Sequence, residues 1–300
     1  MQKNTKDETK DKTKDKNKFE FVEEGHKYFL NGKRLTGVTT IIGIIDKPQF
    51  IQWASNQAID SVIKGATYQR KENIYTVTKD ILEDSRKAWV RTRDKAGDVG
   101  TILHAIVEDY VKSRIAKRDF DFETSRNKAV SNYKIEITQS EIEKTKPMFD
   151  QFLEWEKEDN VTFLLSEQKM YSEKYWFAGT VDLVFIKNGD MSKIYIGDLK
   201  TSIDVYYSHF IQMGGYEIQL KEMGKIKNCA GYCVINIPKI IDKDGNAFRR
   251  VKYERKNSED METFKSCCFL YRYKSKHEKR FGTTRAKKTG INNNRITIKL

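Results

Sequence analysis

The chain has 300 residues, of which 38% are apolar, and its 56 Lys and Arg against 43 Asp and Glu give a formal net charge of +13. This apolar share is enough for one large domain or two small ones, and the positive balance favours a polyanionic partner. The sequence shows neither a signal-peptide pattern nor an apolar run of membrane-spanning length, so we expect a cytoplasmic protein with no membrane partner.

The first segment of the chain is polar and repetitive. Residues 1–17 alternate Lys, Asp and Thr, and no apolar residue follows Met1. Such a segment cannot offset the entropy of ordering by burial, so we predict a disordered tail. The aromatic-rich segments 19–21 and 28–30 then lead to Asn31-Gly32, which predicts a short hairpin.

A helix is predicted after Lys47-Pro48. Its apolar residues recur at helical spacing: Phe50, Trp53, Ala54, Ala58 and Val62. We interpret residues 18–96 as an N-terminal lobe and expect Trp53 to pack in its core rather than to stack on a base.

Residues 79–117 follow a helical pattern, with a break expected at Gly97 to Gly100. His104 and Glu108 are four residues apart and therefore share a helix face. A lone histidine is usually a structural residue, and the alternative for His104 is a metal ligand. Residues 119–137 are polar and irregular, which favours a loop bordering a substrate channel.

Ser140 and Glu143 form a capping-box pattern that opens the next helix, and Pro147 falls inside that helix, where it would kink it or shift its start. A strand is predicted over 162–170. Glu167 lies in this strand, and we consider both an exposed strand charge and a metal ligand for it.

A hairpin is predicted in the middle of the chain. The alternating segment 181–185 runs into Asn188-Gly189, a typical tight-turn pair, and the return strand covers 194–200. Period-two geometry places Asp198 and Lys200 on one face and Leu199 on the other. Taken alone, this pattern is also that of an ordinary strand-edge ion pair.

The hairpin brings Asp182 and Asp198 together, which is costly unless a cation offsets their repulsion. Their carboxylates are suitable ligands for Mg²⁺ or Mn²⁺, and the Leu199 carbonyl can add a third ligand. Lys200 would then orient an attacking water and offset charge in the transition state.

The C-terminal third begins with a helix predicted over 206–223, in which Gln212 and Tyr216 share a face. A final helix is predicted over 259–273. Residues 274–300 are rich in Lys and Arg and contain glycine and asparagine clusters, so we predict a flexible basic C-terminal tail that contacts phosphates.

The four cysteines lie in the same third of the chain, at positions 229, 233, 267 and 268, and none shows paired C-x-x-C spacing. We expect reduced structural thiols in an intracellular protein.

Four motifs resemble one nuclease superfamily. The G-T-V-D of 179–182 and the D-L-K of 198–200 resemble the core of PD-(D/E)xK nucleases. The G-T-I-L-H of 100–104 and the Q-M-G-G-Y of 212–216 are similar to motifs of its RecB-like exonuclease branch. That branch includes CRISPR spacer-acquisition, bacteriophage and mitochondrial genome-maintenance exonucleases.

The resemblance implies an α/β restriction-endonuclease-like core over 97–273, with a central mixed sheet flanked by helices and a helical N-terminal embellishment. It implies the following site: Asp182, Asp198 and Lys200 as catalytic residues; His104, Asp182, Asp198, the Leu199 carbonyl and, as a weaker candidate, Glu167 as metal ligands; Gln212 and Tyr216 near the substrate; and Glu108 as a support for His104. For Tyr216, packing against the sheet is the alternative.

The function implied is Mg²⁺-dependent hydrolysis of phosphodiester bonds in DNA, with Mn²⁺ able to substitute, by an exonuclease acting on ends or single strands. DNA would be the main partner, with replication or recombination proteins as further partners. Some relatives hold an iron–sulfur cluster with one cysteine before the core, and no cysteine precedes Cys229 here, so we expect no cluster. The alternatives are an inactive nucleic-acid-binding protein of the same fold and a structure-specific endonuclease.

Overall fold

A computed structural model describes residues 18–45, 47–69, 74–132, 137–255, 258–281 and 295–299. The predicted tail over 1–17 lies outside these residues. Among the helices of the described stretches, none combines the length and apolar character that crossing a bilayer requires.

The strands, in chain order, are β1 (Phe19–Val22), β2 (Lys27–Leu30), β3 (Lys33–Gly37), β4 (Thr67–Gln69), β5 (Ile74–Thr78), β6 (Val161–Ser172), β7 (Phe177–Lys187), β8 (Ile194–Lys200), β9 (Gly231–Asn236), β10 (Arg250–Arg255) and β11 (Arg295–Lys299). The helices are α1 (Val38–Ile42), α2 (Pro48–Gly65), α3 (Lys79–Ser85), α4 (Ala88–Ala116), α5 (Phe122–Asn132), α6 (Gln139–Glu143), α7 (Thr145–Glu158), α8 (Tyr207–Glu222) and α9 (Ser258–Phe281).

The main sheet has the order β1-β2-β3-β7-β8-β9-β10, and β6 also pairs with β7. The pairs β3 with β7 and β8 with β9 are parallel, whereas β7 pairs antiparallel with both β6 and β8. Helices cover both faces of this sheet. The prediction of an α/β fold with a central mixed sheet flanked by helices is therefore confirmed.

Two apolar cores lie on the two faces of the sheet. On one face, α1, α8 and α9 pack over strand residues that include Val184 and Ile196. On the other face, α4, α5 and α7 pack over Leu183, Phe185 and Leu199. Successive strand residues point to opposite faces, so a strand covered on both sides is apolar at nearly every position. A polar residue in these strands is therefore an exception that needs a reason.

The central hairpin forms as predicted. β7 ends at Lys187, β8 begins at Ile194, and the turn between them contains Asn188 with φ 52° and Gly189 with φ 70°. Both values lie in the left-handed region, which asparagine and glycine adopt most readily in hairpin turns. This turn sets the register that places β7 against β8.

The predicted helix break at Gly97 to Gly100 is wrong, because α4 runs through it without interruption. A glycine costs a helix about 1 kcal/mol relative to alanine, a penalty that tertiary packing can offset. At Gly100 the missing side chain permits close packing, since a Cβ there would lie 2.5 Å from the Thr201 Oγ1. Gly100 thus lets α4 approach the end of β8.

The predicted loop over 119–137 is wrong for most of its length, since 122–132 form α5. The small side chains of Ser125 and Ala129, four residues apart, are buried on one side of α5, and Ala129 belongs to the core formed with α4. These small residues, together with the partly buried Phe122 and Val130 that pack against the same core, hold this helix. Residues 133–136 lie outside the described part of the chain.

The capping box that opens the next helix begins at Thr138 rather than Ser140. The Thr138 Oγ1 accepts from the Glu141 N–H, and the Glu141 carboxylate accepts from the Thr138 N–H at 3.0 Å. The pattern has the same spacing as the predicted one and lies two residues earlier. A separate helix, α7, then begins two residues before Pro147, so the proline marks a helix start instead of a kink.

The interpretation of Trp53 as a core residue is wrong. Helix α2 has no buried residue, and the ring of Trp53 packs beside Phe50, whose side chain is itself exposed. The strands of the predicted lobe behave differently, because β3 pairs with β7 and so joins the central sheet. The boundary between an N-terminal lobe and the core stays a prediction.

The prediction of a flexible C-terminal tail is wrong for two segments. Helix α9 continues to Phe281, and β11 pairs antiparallel with β5 in a second sheet of order β11-β5-β4. Backbone pairing to a distant strand supplies the order that the polar composition did not predict. Residues 282–294 lie outside the described part of the chain.

Candidate active site

Asp182 and Asp198 face each other across the two central strands. Leu183 pairs with Gly197 in the antiparallel register of β7 and β8, which places the two aspartates at the next opposing position. The Leu199 N–H donates to Asp182 Oδ2 at 2.9 Å. Burial nevertheless raises the pKa of Asp182, although the charge of Lys200 and this hydrogen bond oppose the shift.

Asp198 is fully buried, with 0% of its side chain exposed. Its Oδ2 lies 2.6 Å from the Lys200 Nζ, while its Oδ1 has no hydrogen-bond partner among the described residues. Burial raises the pKa of Asp198 to about 6, and the charge of Asp182 contributes in the same direction. A buried carboxylate oxygen without a partner is costly, so this one is available for a ligand.

Lys200 extends from the same face of β8 as Asp198, as its spacing predicted. The charges of Asp198 and Asp182 raise the pKa of its ammonium in spite of desolvation, which is the largest single influence and acts downwards. Lys200 is therefore charged at neutral pH. Because β8 lies between β7 and β9 and Asp198 is fully buried, the interpretation as an exposed strand-edge ion pair is wrong.

His104 reaches the site from α4. Its Nδ1 lies 3.7 Å from Asp182 Oδ2, and 32% of its side chain is exposed. Burial and the charge of Lys200 lower the pKa of His104 to about 4, although Asp198 and a hydrogen bond to the Leu199 backbone act in the opposite direction. The imidazole is thus neutral at neutral pH, the form in which histidine binds metal ions.

Glu167 lies in β6 opposite Asp182, since Ser166 pairs with Leu183 and Gln168 pairs with Val181. Its φ of 46° is unusual for a residue other than glycine and marks an irregular position within the strand. Burial and the charge of Asp182 raise the pKa of Glu167 to about 9. Local backbone strain of this kind is found where a side chain is held for function.

A metal ion fits this site. One ligand atom from each of His104, Glu167 and Asp182 can be chosen so that all three lie within 4.8 Å of one another. Asp198 is not part of this trio, but the charges of Asp182 and His104 act on its carboxyl, whose Oδ1 has no hydrogen-bond partner among the described residues. Carboxylate oxygens with one imidazole form a donor set for Mg²⁺ or Mn²⁺.

Glu108 lies one turn after His104 on α4 and forms an ion pair with Lys112. Its charge contributes to the raised pKa of Glu167. The structure therefore places Glu108 at the edge of the acidic cluster. Its predicted role in supporting His104 stays a prediction.

Gln212 and Tyr216 approach the site from α8 and are both buried. The Gln212 Nε2 donates to the Tyr216 hydroxyl at 2.7 Å. Burial and the charges of Asp182 and Asp198 raise the pKa of this hydroxyl. The Tyr216 ring packs over Gly179, where a Cβ would lie 2.8 Å from its Cε1. The structure thus places this pair beside the aspartates, and substrate contact by either residue stays a prediction.

A cavity of about 490 Å³ opens next to the site, between β2, β3, α1 and the start of β7. Gly179, Thr180 and Tyr216 form the wall nearest the aspartates. Lys27 and Arg34 supply positive charge to the lining, and no Asp or Glu is found among the described residues that line it. The cavity is therefore suited to an anionic group.

Two site residues escaped the sequence analysis. Lys239 follows β9, whose parallel pairing with β8 brings it to the edge where Lys200 lies, and its charge acts on His104. His209 lies one turn before Gln212 on α8, and burial together with the charge of Lys200 lowers its pKa to about 3. Only the strand order could have revealed Lys239, whereas the i, i+3 spacing to Gln212 was a visible sign for His209.

No protein-family profile matches the chain, and no curated protein matches it. Solved structures do match. A Eubacterium rectale protein described as an exonuclease is 10% identical, with a TM-score of 0.41 over 66% of this chain and 77% of that one. LHK-Exo, solved with dAMP, is 9% identical, with a TM-score of 0.32 over 62% and 93% of the two chains. The interpretation of the site rests on its own residues.

Proposed function

We propose that this protein is a metal-dependent nuclease that hydrolyses phosphodiester bonds in DNA. The observation that carries the proposal is that three acidic residues lie close together on neighbouring strands: Glu167 on β6, Asp182 on β7 and Asp198 on β8. Their pKa values are all raised by burial. A fold gains nothing from burying three neighbouring carboxyls, so their position indicates a cation-dependent function.

The metal would be held by His104, Glu167 and Asp182, with Asp198 and the Leu199 carbonyl as further ligands. When bound, Mg²⁺ would offset the acidic charge and act as a Lewis acid on a phosphate oxygen. Mn²⁺ should substitute, because it accepts the same oxygen ligands and binds imidazole more readily.

The side chains of the protein have separate roles in this proposal. Lys200 is held by Asp198 and stays protonated, so its ammonium can donate to an attacking water or to a phosphate oxygen. The Leu199 N–H fixes the Asp182 carboxylate. Gln212 and Tyr216 would border the bound strand, and Glu108 would support His104 from the next turn of α4.

The cavity beside Thr180 favours a nucleic-acid substrate over a small neutral one. Lys27 and Arg34 can contact phosphates, and the hydroxyls of Tyr28 and Thr180, 2.9 Å apart, can bind a sugar or a base. An exonuclease acting on DNA ends or single strands, in repair or recombination, is the activity that the RecB-like motifs favour. A restriction-endonuclease-like core is the fold that belongs to this proposal.

The principal alternative is an inactive nucleic-acid-binding protein of the same fold. Such a protein has no need for a charged lysine held against a fully buried aspartate, and here Lys200 and Asp198 are 2.6 Å apart. We therefore favour the enzyme. A structure-specific endonuclease, the second alternative, would cut covalently closed circles that carry a suitable structure.

The test uses end-labelled linear DNA and closed circular DNA, each single and double stranded, with Mg²⁺ or with EDTA. The wild type should degrade linear DNA only with the metal, and Asp198→Asn or Lys200→Ala should lower the rate on the order of a hundredfold or more. Lys221→Ala is the matched control, because Lys221 forms a 2.8 Å pair with the buried Glu217 on α8. Cleavage by folded Asp198→Asn at the wild-type rate would refute the proposal.

A further inference from the structure

Helix α9 has two faces of opposite character. Phe264, Cys267 and Cys268 are buried on the inner face, which packs against α1 and α8. On the outer face, 69% of Phe269 and 58% of Tyr273 is exposed. Exposed aromatic rings in a row are unusual on a folded protein and indicate a binding surface.

The outer rings form an aromatic row. Phe269, Tyr273 and His277 are spaced four residues apart and so follow one another along the helix. The ring centroids of Phe269 and Tyr273 are 6.5 Å apart in a stacked arrangement, and those of Tyr273 and His277 are 4.4 Å apart. Phe269 and Tyr273 thus present apolar ring surface to solvent in the described part of the chain.

A cationic row runs beside the aromatic row. Lys265, Arg272 and Lys276 fall on the same side of Phe269 by helical spacing. Lys265 pairs with Glu262 at 2.6 Å, whereas Arg272 donates to the Tyr175 carbonyl and forms no ion pair with an Asp or Glu among the described residues. Residues 272–280 contain five Lys and Arg and one Glu, and this Glu278 lies 3.5 Å from Lys274 on the other side of the helix.

We propose that the outer face of α9 binds single-stranded nucleic acid, with bases stacking on Phe269 and Tyr273 and phosphates contacting Arg272 and Lys276. Stacked rings beside cations are the combination that non-specific single-strand binding requires. This proposal deepens the proposed function, on which it rests for the identity of the substrate. The helix dipole accounts for cations near a C-terminus but not for the exposed rings.

Other occupants fit the surface less well. A second copy docked through the same face would bring two positively charged helices together, which like-charge repulsion opposes. A duplex would leave its bases stacked on one another and out of reach of the rings. A single strand offers unstacked bases to the aromatic rings and phosphates to the cations.

The surface is near the candidate active site. Tyr271 lies on the opposite side of α9 from the aromatic row and lines the cavity that contains Thr180. The two sides are separated by one helix diameter, ~10 Å. A strand held on the outer face is therefore close enough to enter the cavity by passing around α9.

The experiment measures binding in EDTA, so that it does not depend on cleavage. Fluorescence anisotropy compares labelled oligothymidylate with a deoxyribose-phosphate strand of equal length that lacks bases. Phe269→Ala with Tyr273→Ala should weaken binding to oligothymidylate by at least about tenfold and leave binding to the base-free strand unchanged. Arg272→Gln with Lys276→Gln should weaken both strands and lower the salt slope by about 0.7 for each phosphate that is no longer neutralised.

Tyr68→Ala is the matched control, since Tyr68 is an exposed tyrosine on a different surface whose ring centroid lies 4.7 Å from that of Tyr75. It should bind both strands as the wild type does. Tyr273→Trp gives a second readout that needs no destabilising change: its fluorescence should be quenched by oligothymidylate and not by the base-free strand.

Equally weakened binding to both strands, or unchanged binding, would overturn the stacking proposal, as would an unquenched Tyr273→Trp. A change in oligomeric state of the double alanine variant by sedimentation would overturn it in favour of a second copy. Cleavage is measured separately with Mg²⁺. An enzyme that cleaves but shows no stacking refutes this inference alone, and a protein that stacks single strands without cleaving refutes the proposed function alone.

Discussion

Three acidic side chains give the site its character, and the carboxyl of Glu167 is strongly perturbed. Its pKa of about 9 lies far above its ordinary value of 4.5, chiefly because of burial and the neighbouring Asp182. The folded, metal-free protein therefore favours the protonated acid. The stability from this preference is fully present below about pH 4.5 and is lost as the pH rises through 9.

This linkage predicts the behaviour of Glu167→Gln. In EDTA the wild-type Tm should fall between pH 5 and pH 8.5, because the unfolded chain gains the Glu167 charge above about pH 4.5 whereas the folded protein retains the proton up to about pH 9. The variant carries no such charge, so it should melt at a higher temperature than the wild type at pH 8, and the two should agree near pH 5. Differential scanning calorimetry at several pH values measures this.

The exposed Glu83 on α3 provides the control, since Glu83→Gln should follow the wild-type Tm at every pH. Addition of Mg²⁺ at pH 8 should raise the wild-type Tm more than that of Glu167→Gln. Parallel pH profiles for Glu167→Gln and the wild type would show that the carboxyl is solvated and that its pKa is ordinary.

For single residues, the sequence predicted which side chains carry the charges of the site better than it predicted their backbone conformation and position. Period two placed Asp198 and Lys200 on one face, and the structure shows their ion pair. The left-handed φ of Glu167 has no sequence sign, because glutamate does not favour that conformation. Lys239 approaches the site only through the parallel pairing of β9 with β8, which depends on the whole sheet.

Helix α8 is held in place by a close approach to β7. A Cβ on Gly179 would lie 2.8 Å from the Tyr216 Cε1 and 2.9 Å from the Val38 Cγ2, so glycine is required where α1 and α8 meet the strand. The Gln212 and Tyr216 hydrogen bond depends on this fit. The G-T-V-D motif thus positions a helix as well as supplying Asp182.

Gly179→Ala should destabilise the protein by about 1–3 kcal/mol, because both neighbours are ring or branched groups in a packed core. Cleavage should also fall, since Tyr216 would move away from the aspartates. Urea unfolding and the labelled-DNA assay measure the two effects. Gly37→Ala is the stability control, as its Cβ would lie 3.5 Å from the Thr40 Oγ1 at ordinary contact. A wild-type unfolding midpoint for Gly179→Ala would contradict the close approach.

Elements with strong local signals were predicted well, and those held by tertiary contacts were not. The β7 and β8 hairpin has alternating residues and an Asn-Gly turn, and α8 has clear helical spacing. Helix α5 has a polar sequence and is held by its small buried residues against α4, so its composition favoured a loop. The prediction of a break in α4 was wrong for the same reason, since packing at Gly100 offsets the cost of a glycine within a helix.

Two strand pairings join segments that are far apart in the sequence. β3 pairs with β7, and β11 near the C-terminus pairs with β5. Pairing partners cannot be recognised from either strand alone, because a short strand carries no mark of its distant neighbour. The sequence therefore predicted the fold class and left both the strand order and the position of the C-terminal strand unpredicted.

Deletion of residues 282–300 tests the role of the pairing between β11 and β5. It removes β11 and leaves β5 with only β4 as a partner, and a two-stranded pair is marginal in water. Amide hydrogen exchange should therefore accelerate in Ile74–Thr78, while the amides of β7 and β8 keep their protection because the main sheet does not include β11.

The same deletion removes Arg285, Lys287, Lys288, Arg295 and Lys299 and no acidic residue. We expect weaker DNA binding and a shallower dependence of log affinity on log salt, by about 0.7 for each phosphate of a single strand that these cations neutralise. Lys287→Gln with Lys288→Gln separates charge from structure, since it should lower the salt slope and leave exchange in β5 unchanged. Unaltered exchange in the truncated protein would show that β11 does not hold β5 in solution. An unaltered salt slope in both variants would show that the basic C-terminal segment does not contact phosphate.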